Sequence, residues 1–493
     1  MQKKFLTNLG FLLFLNLLVK PFWVLGIDRS VQNAVGSEDF GFYFSILNFS
    51  FLFNILLDLG ITNFNNRNIA QNTHLLNKHF SSILILKLLL GIFYMLISFV
   101  VGLLIGYNSA QFYMLAWVAL NQFLLSFVLY LRSNVSGLLL FKTDSVLSVL
   151  DRLLMIIFCS VLLWGNVTDK KFQIEWFVYA QTAAYGLTAL IALAVVIQKS
   201  AFRKMNWNRP FLIMILKKSF PFALLVFLMA QYNRMDTVII ERMLPGEMGN
   251  LQAGIYAQAY RLLDAAMMIA FLFAGLLLPL FSRMLKLKES VENLVKLSFS
   301  LLFTVSVITA AGTWFYSADI MTWLYPKHGN EILIDYLKRI DESAHIFRLL
   351  MFCFVAISST YVFGTLLTAN GSLKQLNIVA AGGVLISLAL NLILVPKMQA
   401  IGSAYASLSS QGITALAQLI MAVLIFRFRR NIKYIVALVL FAAGAFTISY
   451  LSHQFGFDWR INFLIMMGIS VVLAMVLGLL NIPEFIRIIR SET

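Results

Sequence analysis

Apolar runs of about twenty residues recur from one end of this chain to the other, and they constrain its fold more than any motif does. At 1.5 Å per residue, such a run matches the roughly 30 Å hydrocarbon core of a bilayer. Of the 493 residues 60% are hydrophobic and only 12% are charged, whereas a soluble chain carries about 25% charged residues. Strands of a membrane barrel would alternate polar and apolar residues in segments of about ten, and no such alternation occurs. The chain therefore reads as an all-α polytopic membrane protein. About fourteen spans are predicted on the length rule, at 7–27, 40–60, 80–106, 112–138, 145–165, 174–198, 219–240, 252–281, 294–316, 344–369, 374–395, 401–426, 433–452 and 461–481. The first is too long for a cleaved signal peptide, and no small-residue cleavage site follows it.

Lysine and arginine in the short loops set the orientation. With a cytoplasmic N-terminus, the inner side carries about 22 of them, including Arg203, Lys204, Lys217, Lys218, Arg427 and Arg430, against about 9 outside. Both termini are then expected in the cytoplasm, and the protein in the cytoplasmic (inner) membrane. The net charge of +16 reads as a topology signal with affinity for anionic lipid, not as a nucleic-acid footprint. Cys159 and Cys353 both fall within spans, and no metal-ligand spacing exists, so neither a metal nor a cofactor is expected. The five histidines are scattered and read as solvated or interfacial.

A basic stretch, 199–218, divides the chain into an N-terminal six-helix bundle (1–198) and a second six-helix bundle (219–430), with helices 13 and 14 and a tail in 431–493. The two halves echo each other. EDFGFYFSILN places Gly41 and Tyr43 near the second span, and LQAGIYAQAYRLLD places Gly254 and Tyr256 near the eighth. Six spans separate the copies, so they share one orientation and imply a pseudo-twofold axis along the membrane normal. The largest outer segment, 325–343, reads as a solvated loop with at most a short amphipathic helix.

Charged residues deep in spans cost at least about 2.5–3.5 kcal/mol and usually face a protein interior or a water-filled cavity. Lys20 lies about 18 Å into the first span by helical rise. It shares a face with Asn16, Trp23 and Ile27, and Pro21 beside it favours a kink. Snorkelling to the interface is the alternative for Lys20, and its depth disfavours it. Gln231 and Arg234 share a face of the seventh span, which also holds Pro221 as a second hinge. Gln258, Arg261 and Asp264 form a stripe on the eighth, where Arg261 and Asp264 could neutralise one another. Arg132, Asp151 and Arg152 intrude in spans 4 and 5. The adjacent Asp151 and Arg152 are expected to need separate partners, whereas Asp58, Lys87 and Arg348 lie nearer span ends and read as snorkelling. Lys20, Arg132, Arg152, Arg234 and Arg261 outnumber the deep carboxylates Asp151, Asp236 and Asp264. Such a pathway attracts anions, and arginine suits phosphate in particular. These five cations are the expected substrate-binding set, with Asn16, Gln231, Gln258 and Asp264 as supporting polar groups.

Fourteen helices in two six-helix halves resemble the multidrug/oligosaccharidyl-lipid/polysaccharide (MOP) exporter superfamily. The stretch LNLLVKPFWVLGIDRSVQNAVG, followed by GFYFSILNFSFLFNILLDLGITNFNNRNIAQN, is similar to bacterial polysaccharide-biosynthesis membrane proteins through Gly41, Tyr43, Leu59, Gly60 and Arg67. The later stretch TANGSLKQLNIVAAGGVLISLALNLILVPKMQAIGSAYAS is similar to that family's C-terminal half through Gly371, Lys374, Asn391, Pro396, Gly402 and Ala404. The resemblance implies a Wzx-type flippase, a transporter and not an enzyme. Its cargo would be an undecaprenyl-diphosphate-linked oligosaccharide moved from the inner to the outer leaflet for O-antigen, capsule or exopolysaccharide (lipopolysaccharide-type) assembly. It also implies alternating access around a cationic cavity, coupling to Na⁺, H⁺ or the membrane potential, and partnership with membrane lipid and other polysaccharide-assembly membrane proteins. Three alternatives stay open: a multidrug/cation antiporter of the same fold, a peptidoglycan lipid-precursor flippase, and a membrane polysaccharide polymerase or ligase.

Overall fold

The computed structural model describes residues 15, 18, 19, 22–62, 65, 69, 75–138, 140–165, 170–200, 209–327, 331–428 and 431–480, and among them helices are the only regular elements. A π-helical turn, Trp23–Asp28, runs into α1 (Arg29–Leu52), and a 3₁₀ turn, Asn54–Leu57, follows. Then come α2 (Leu75–Leu104), α3 (Ser109–Gly137), α4 (Phe141–Trp164), α5 (Ile174–Lys199), α6 (Arg209–Met243) and α7 (Glu247–Lys286). The remainder are α8 (Glu292–Leu324), α9 (Leu333–Ala369), α10 (Leu373–Phe426), α11 (Ile432–His453) and α12 (Trp459–Val476). Among the described residues, ten helices are long and apolar enough to cross a membrane. Every span predicted after the first has a helix lying over it, whereas most of 7–27 falls outside the described residues.

The differences lie in the connections. Where a loop is expected between spans 1 and 2, helix continues and breaks only at Gly36 (φ 86°, ψ 171°), a conformation that glycine tolerates without strain. The two spans expected at 374–395 and 401–426 are one helical run, α10, interrupted at Gln399 (φ 53°, ψ −136°). Pro396 has no N–H to donate just before that break. A Cβ on Gly402 would lie 2.5 Å from the Leu394 carbonyl oxygen, so only glycine lets the chain return this closely. Asn391 anchors the corner by accepting a 2.6 Å hydrogen bond from Ser403. Within segment 325–343, α9 already begins at Leu333 and runs straight into its span. Asp335 in the first turn suits the positive end of the helix, and Arg339 and Ile340 are buried there.

Two compact units result, residues 1–241 with 246–254 and residues 242–245 with 255–493. The first is centred on α2–α5, through Phe80, Ile83, Leu86, Tyr130, Leu131, Ala192 and Val196. In the second, Val307, Ile308 and Ala311 of α8 receive Phe441 and Ala445 of α11 and Met466 and Ala474 of α12. Packing places α6 in the first unit, whereas the repeat counts it as the opening helix of the second bundle; a contact division follows packing and a repeat division follows chain order.

Candidate functional site

In the first unit the polar residues of greatest interest gather around Arg152 on α4. Its guanidinium lies 5.6 Å from the Trp23 ring centre and 5.9 Å from that of Tyr185. It donates a 3.3 Å hydrogen bond to the Tyr185 hydroxyl. Trp23, in the π-helical turn, stacks on Phe177 at 5.8 Å, and Phe177 meets Tyr43 edge-on at 5.5 Å. Gln181 on α5 donates a 2.9 Å hydrogen bond to the Tyr43 hydroxyl. The tyrosine of the first Gly-x-Tyr copy thus belongs to the wall that supports Trp23 and Arg152. A quarter of the Arg152 side chain is exposed (25%).

The seventh-span pair shares one face of α6, as its spacing requires. Gln231 donates a 2.9 Å hydrogen bond to the Leu52 carbonyl, and Arg234 lies 5.2 Å from the Phe51 ring centre. Two turns along, Glu241 accepts from Gln111 at 2.7 Å. Arg132 forms a 2.9 Å ion pair with Asp144. In the second unit Arg261 approaches Asp264 at 3.6 Å, and the backbone carbonyl of the buried Gln258 accepts from Tyr325 at 3.1 Å. Pro221 falls within α6, whereas Asn16, Lys20 and Pro21 lie outside the described residues.

Three expectations are corrected. Asp151 and Arg152 do meet, at 3.7 Å, because the long arginine stem can fold back along its own helix. Lys87 does not snorkel: it is 1% exposed, donates to the Leu57 carbonyl at 2.9 Å and pairs with Asp58. The 3₁₀ turn before Asp58 supplies acceptors inside the protein that an unbroken helix would not, so the ammonium has no need to reach water. Arg348 likewise turns inward, donating to Ser317 at 2.6 Å. Asp28, which marks a span end in the sequence, is fully buried and accepts from Gln32 at 3.0 Å; the i, i+4 spacing of the two is the signal for that bond.

A sequence model of the family described as polysaccharide biosynthesis protein matches residues 7–285, more than half of the chain. The chain belongs to that family. Curated proteins include no match. Among solved structures, the lipid II flippase MurJ in an inward closed conformation is similar with a TM-score of 0.68 at 15% identity, over 94% of this chain and 98% of that one. An inward-facing multidrug resistance MATE family transporter of the MOP superfamily is similar with a TM-score of 0.65 at 12% identity, over 84% of this chain and 98% of that one. At such identities the likeness carries the fold alone, which this chain shares with both structures.

The first unit also gathers acidic residues where α1, α5 and the start of α7 approach. Burial first, then the charges of Glu247 and Asp39, holds the Glu38 carboxyl above its ordinary range. Burial and then Glu175 do the same for Asp39. A carboxyl that protonates more readily folded than unfolded imposes no penalty below its unfolded value, near pH 4. The penalty grows as pH rises toward the folded value and is complete above it. A Glu38→Gln/Asp39→Asn variant should therefore melt above wild type at neutral pH, with the gap closing in acid. Parallel thermal melts at a series of pH values would check this, and a gap that is constant with pH would contradict it.

Proposed function

We propose that this multi-pass membrane protein is a flippase for a polyprenyl-diphosphate-linked oligosaccharide of the undecaprenyl type, resident in the cytoplasmic membrane with both termini inside. The single observation that carries the reading is the Arg152 guanidinium on the Trp23 and Tyr185 rings in a member of the polysaccharide biosynthesis family. A guanidinium fork donates to two phosphate oxygens at once, and aromatic faces suit the apolar faces of sugar rings. Lys20, Arg132, Arg234 and Arg261 complete the proposed cationic set, with 1–198 and 219–430 as the repeated six-helix bundles. The diphosphate is held at Arg152 while the sugars occupy hydrated space and the polyprenyl tail remains in lipid. Alternate exposure of the head group to the two sides then moves it, and no bond is broken. Export of organic cations would favour carboxylates without cationic neighbours, whereas Asp144, Asp151 and Asp264 each sit beside an arginine.

The test is accumulation in cells depleted of the wild-type protein. Arg152→Ala forfeits a charge-assisted hydrogen bond, about 1.5–3 kcal/mol, and should lower export about 10- to 150-fold, leaving single lipid-linked repeats facing the cytoplasm. Arg152→Lys keeps the charge without the fork and should recover only part. Lys20→Ala should behave as Arg152→Ala does. Normal export by both alanine variants would remove the assignment. Single repeats exported but left unjoined would point instead to a polymerase.

A further inference from the structure

The ion pair that the flippase reading leaves unused lies at the end of the second span. There the chain leaves helical geometry: after the 3₁₀ turn, Leu59 and Gly60 take positive φ (46° and 81°). Asp58, just before them, caps the next turn by accepting from the Thr62 backbone N–H at 3.2 Å and from the Thr62 hydroxyl. Lys87 enters from α2, twelve residues and about 18 Å along that helix. Its ammonium donates to the Leu57 carbonyl at 2.9 Å, to the Asp58 carboxylate and to the Ser126 hydroxyl at 3.3 Å, with the Tyr130 ring centre 6.0 Å away. Ser126 also donates to the Leu57 carbonyl at 3.2 Å, which draws the oxygens together. Among the described residues, Lys87 and Asp58 are the charged members of this cluster, and Tyr130 is its other titratable group. Lys87 is buried whereas Asp58 is 26% exposed.

A carbonyl freed by an interrupted helix, a carboxylate and a hydroxyl form the oxygen set that holds a hard monovalent cation inside a membrane protein. Here an ammonium occupies the centre. We propose that the Leu57–Asp58–Ser126 cluster is a monovalent-cation site whose occupant is the chain's own Lys87, so that the interruption in the second span is held by a tethered charge and not by a dissociable Na⁺ or K⁺. The proposal is independent of what the protein carries.

Vacating the site tests it. Lys87→Ala leaves a carboxylate facing a cavity the size of the lost side chain, and a free cation should enter. The melting temperature of the purified variant should rise by several degrees, saturably, when choline chloride is exchanged for NaCl or KCl at equal ionic strength. Wild type should not respond, nor should Asp58→Asn/Lys87→Ala, which lacks the anion. Equal melting in choline and in Na⁺ and K⁺ would overturn the proposal. A Lys87→Ala that fails to fold in every salt while the double variant folds would do the same, because the oxygens then accept no free cation. Failure of the double variant to fold would also overturn it, since Lys87 would then be needed for packing and not for charge.

Discussion

Alanine at Gly41 or Gly254 is expected to abolish most transport and to lower the melting temperature by several degrees. A Cβ on Gly41 would lie 1.9 Å from the Asn250 carbonyl oxygen and 2.5 Å from the Gly254 nitrogen. One on Gly254 would lie 1.7 Å from the Ser37 carbonyl oxygen. The obstacles are backbone atoms, which cannot rotate aside as a side chain can. The helices must separate by more than an ångström, and overpacking on that scale costs about 1–3 kcal/mol or more. The close approach is the membrane-protein use of small residues, where van der Waals contact replaces the hydrophobic drive. Gly186 and Gly412 have open space where a Cβ would go. Alanine at either should be neutral or slightly stabilising, because it is the better helix former. Loss of export and of melting temperature confined to the Gly41 and Gly254 variants would support the argument. Wild-type behaviour of all four would refute it.

Arg339→Ala should destabilise the protein by about 3–5 kcal/mol, the usual cost of breaking a buried ion pair from one side. Arg339 is 5% exposed and grips Glu331 with both arms of its fork, at 2.8 Å and 3.0 Å. It also reaches the Pro326 carbonyl at 3.4 Å and lies 5.4 Å from the Tyr336 ring centre. Removing the guanidinium strands the Glu331 carboxylate and releases the segment from the first turns of α9. The neighbouring Lys338 is 73% exposed, and its alanine variant should stay within about 0.5 kcal/mol of wild type. Replacing both partners, as in Arg339→Met/Glu331→Leu, should recover most of the loss. Thermal melts of the four proteins give the comparison, and an Arg339→Ala protein as stable as Lys338→Ala would disprove it.

The spans can be read from sequence because bilayer thickness fixes their length, and every predicted span after the first has a helix lying over it. The connections could not, because a helix can end, break or continue on the strength of one residue. Gly36 and Gln399 each stand for a whole loop or turn, and hydropathy does not distinguish them from their neighbours. Gly41 and Gly254 were legible as a repeat, but why each must be glycine was not, since the reason is the other copy. Charges were harder still. Position in a span gives a depth and not a partner. Sequence alone therefore reads Lys87 as snorkelling, although Leu57 and Asp58, about thirty residues earlier, fold back to receive it. The converse holds for Arg132, whose depth is evident but whose carboxylate neighbour Asp144 only the fold brings close, whereas the Arg261–Asp264 pair is legible from its i, i+3 spacing.

Val19, Trp23, Ile27 and Val31 are all buried, a spacing of four at every step. In a regular α-helix each such step overshoots a full turn by about 40°, so across three steps the row would wind well off one side. The π-helical turn Trp23–Asp28 takes up one extra residue, worth about 100°, and brings the row back into line. Deleting a single residue there would leave the composition almost untouched yet turn Val19 by more than a quarter revolution relative to Val31. The side on which Val19 and Trp23 meet Ile27 and Val31 is thus written in one inserted amino acid.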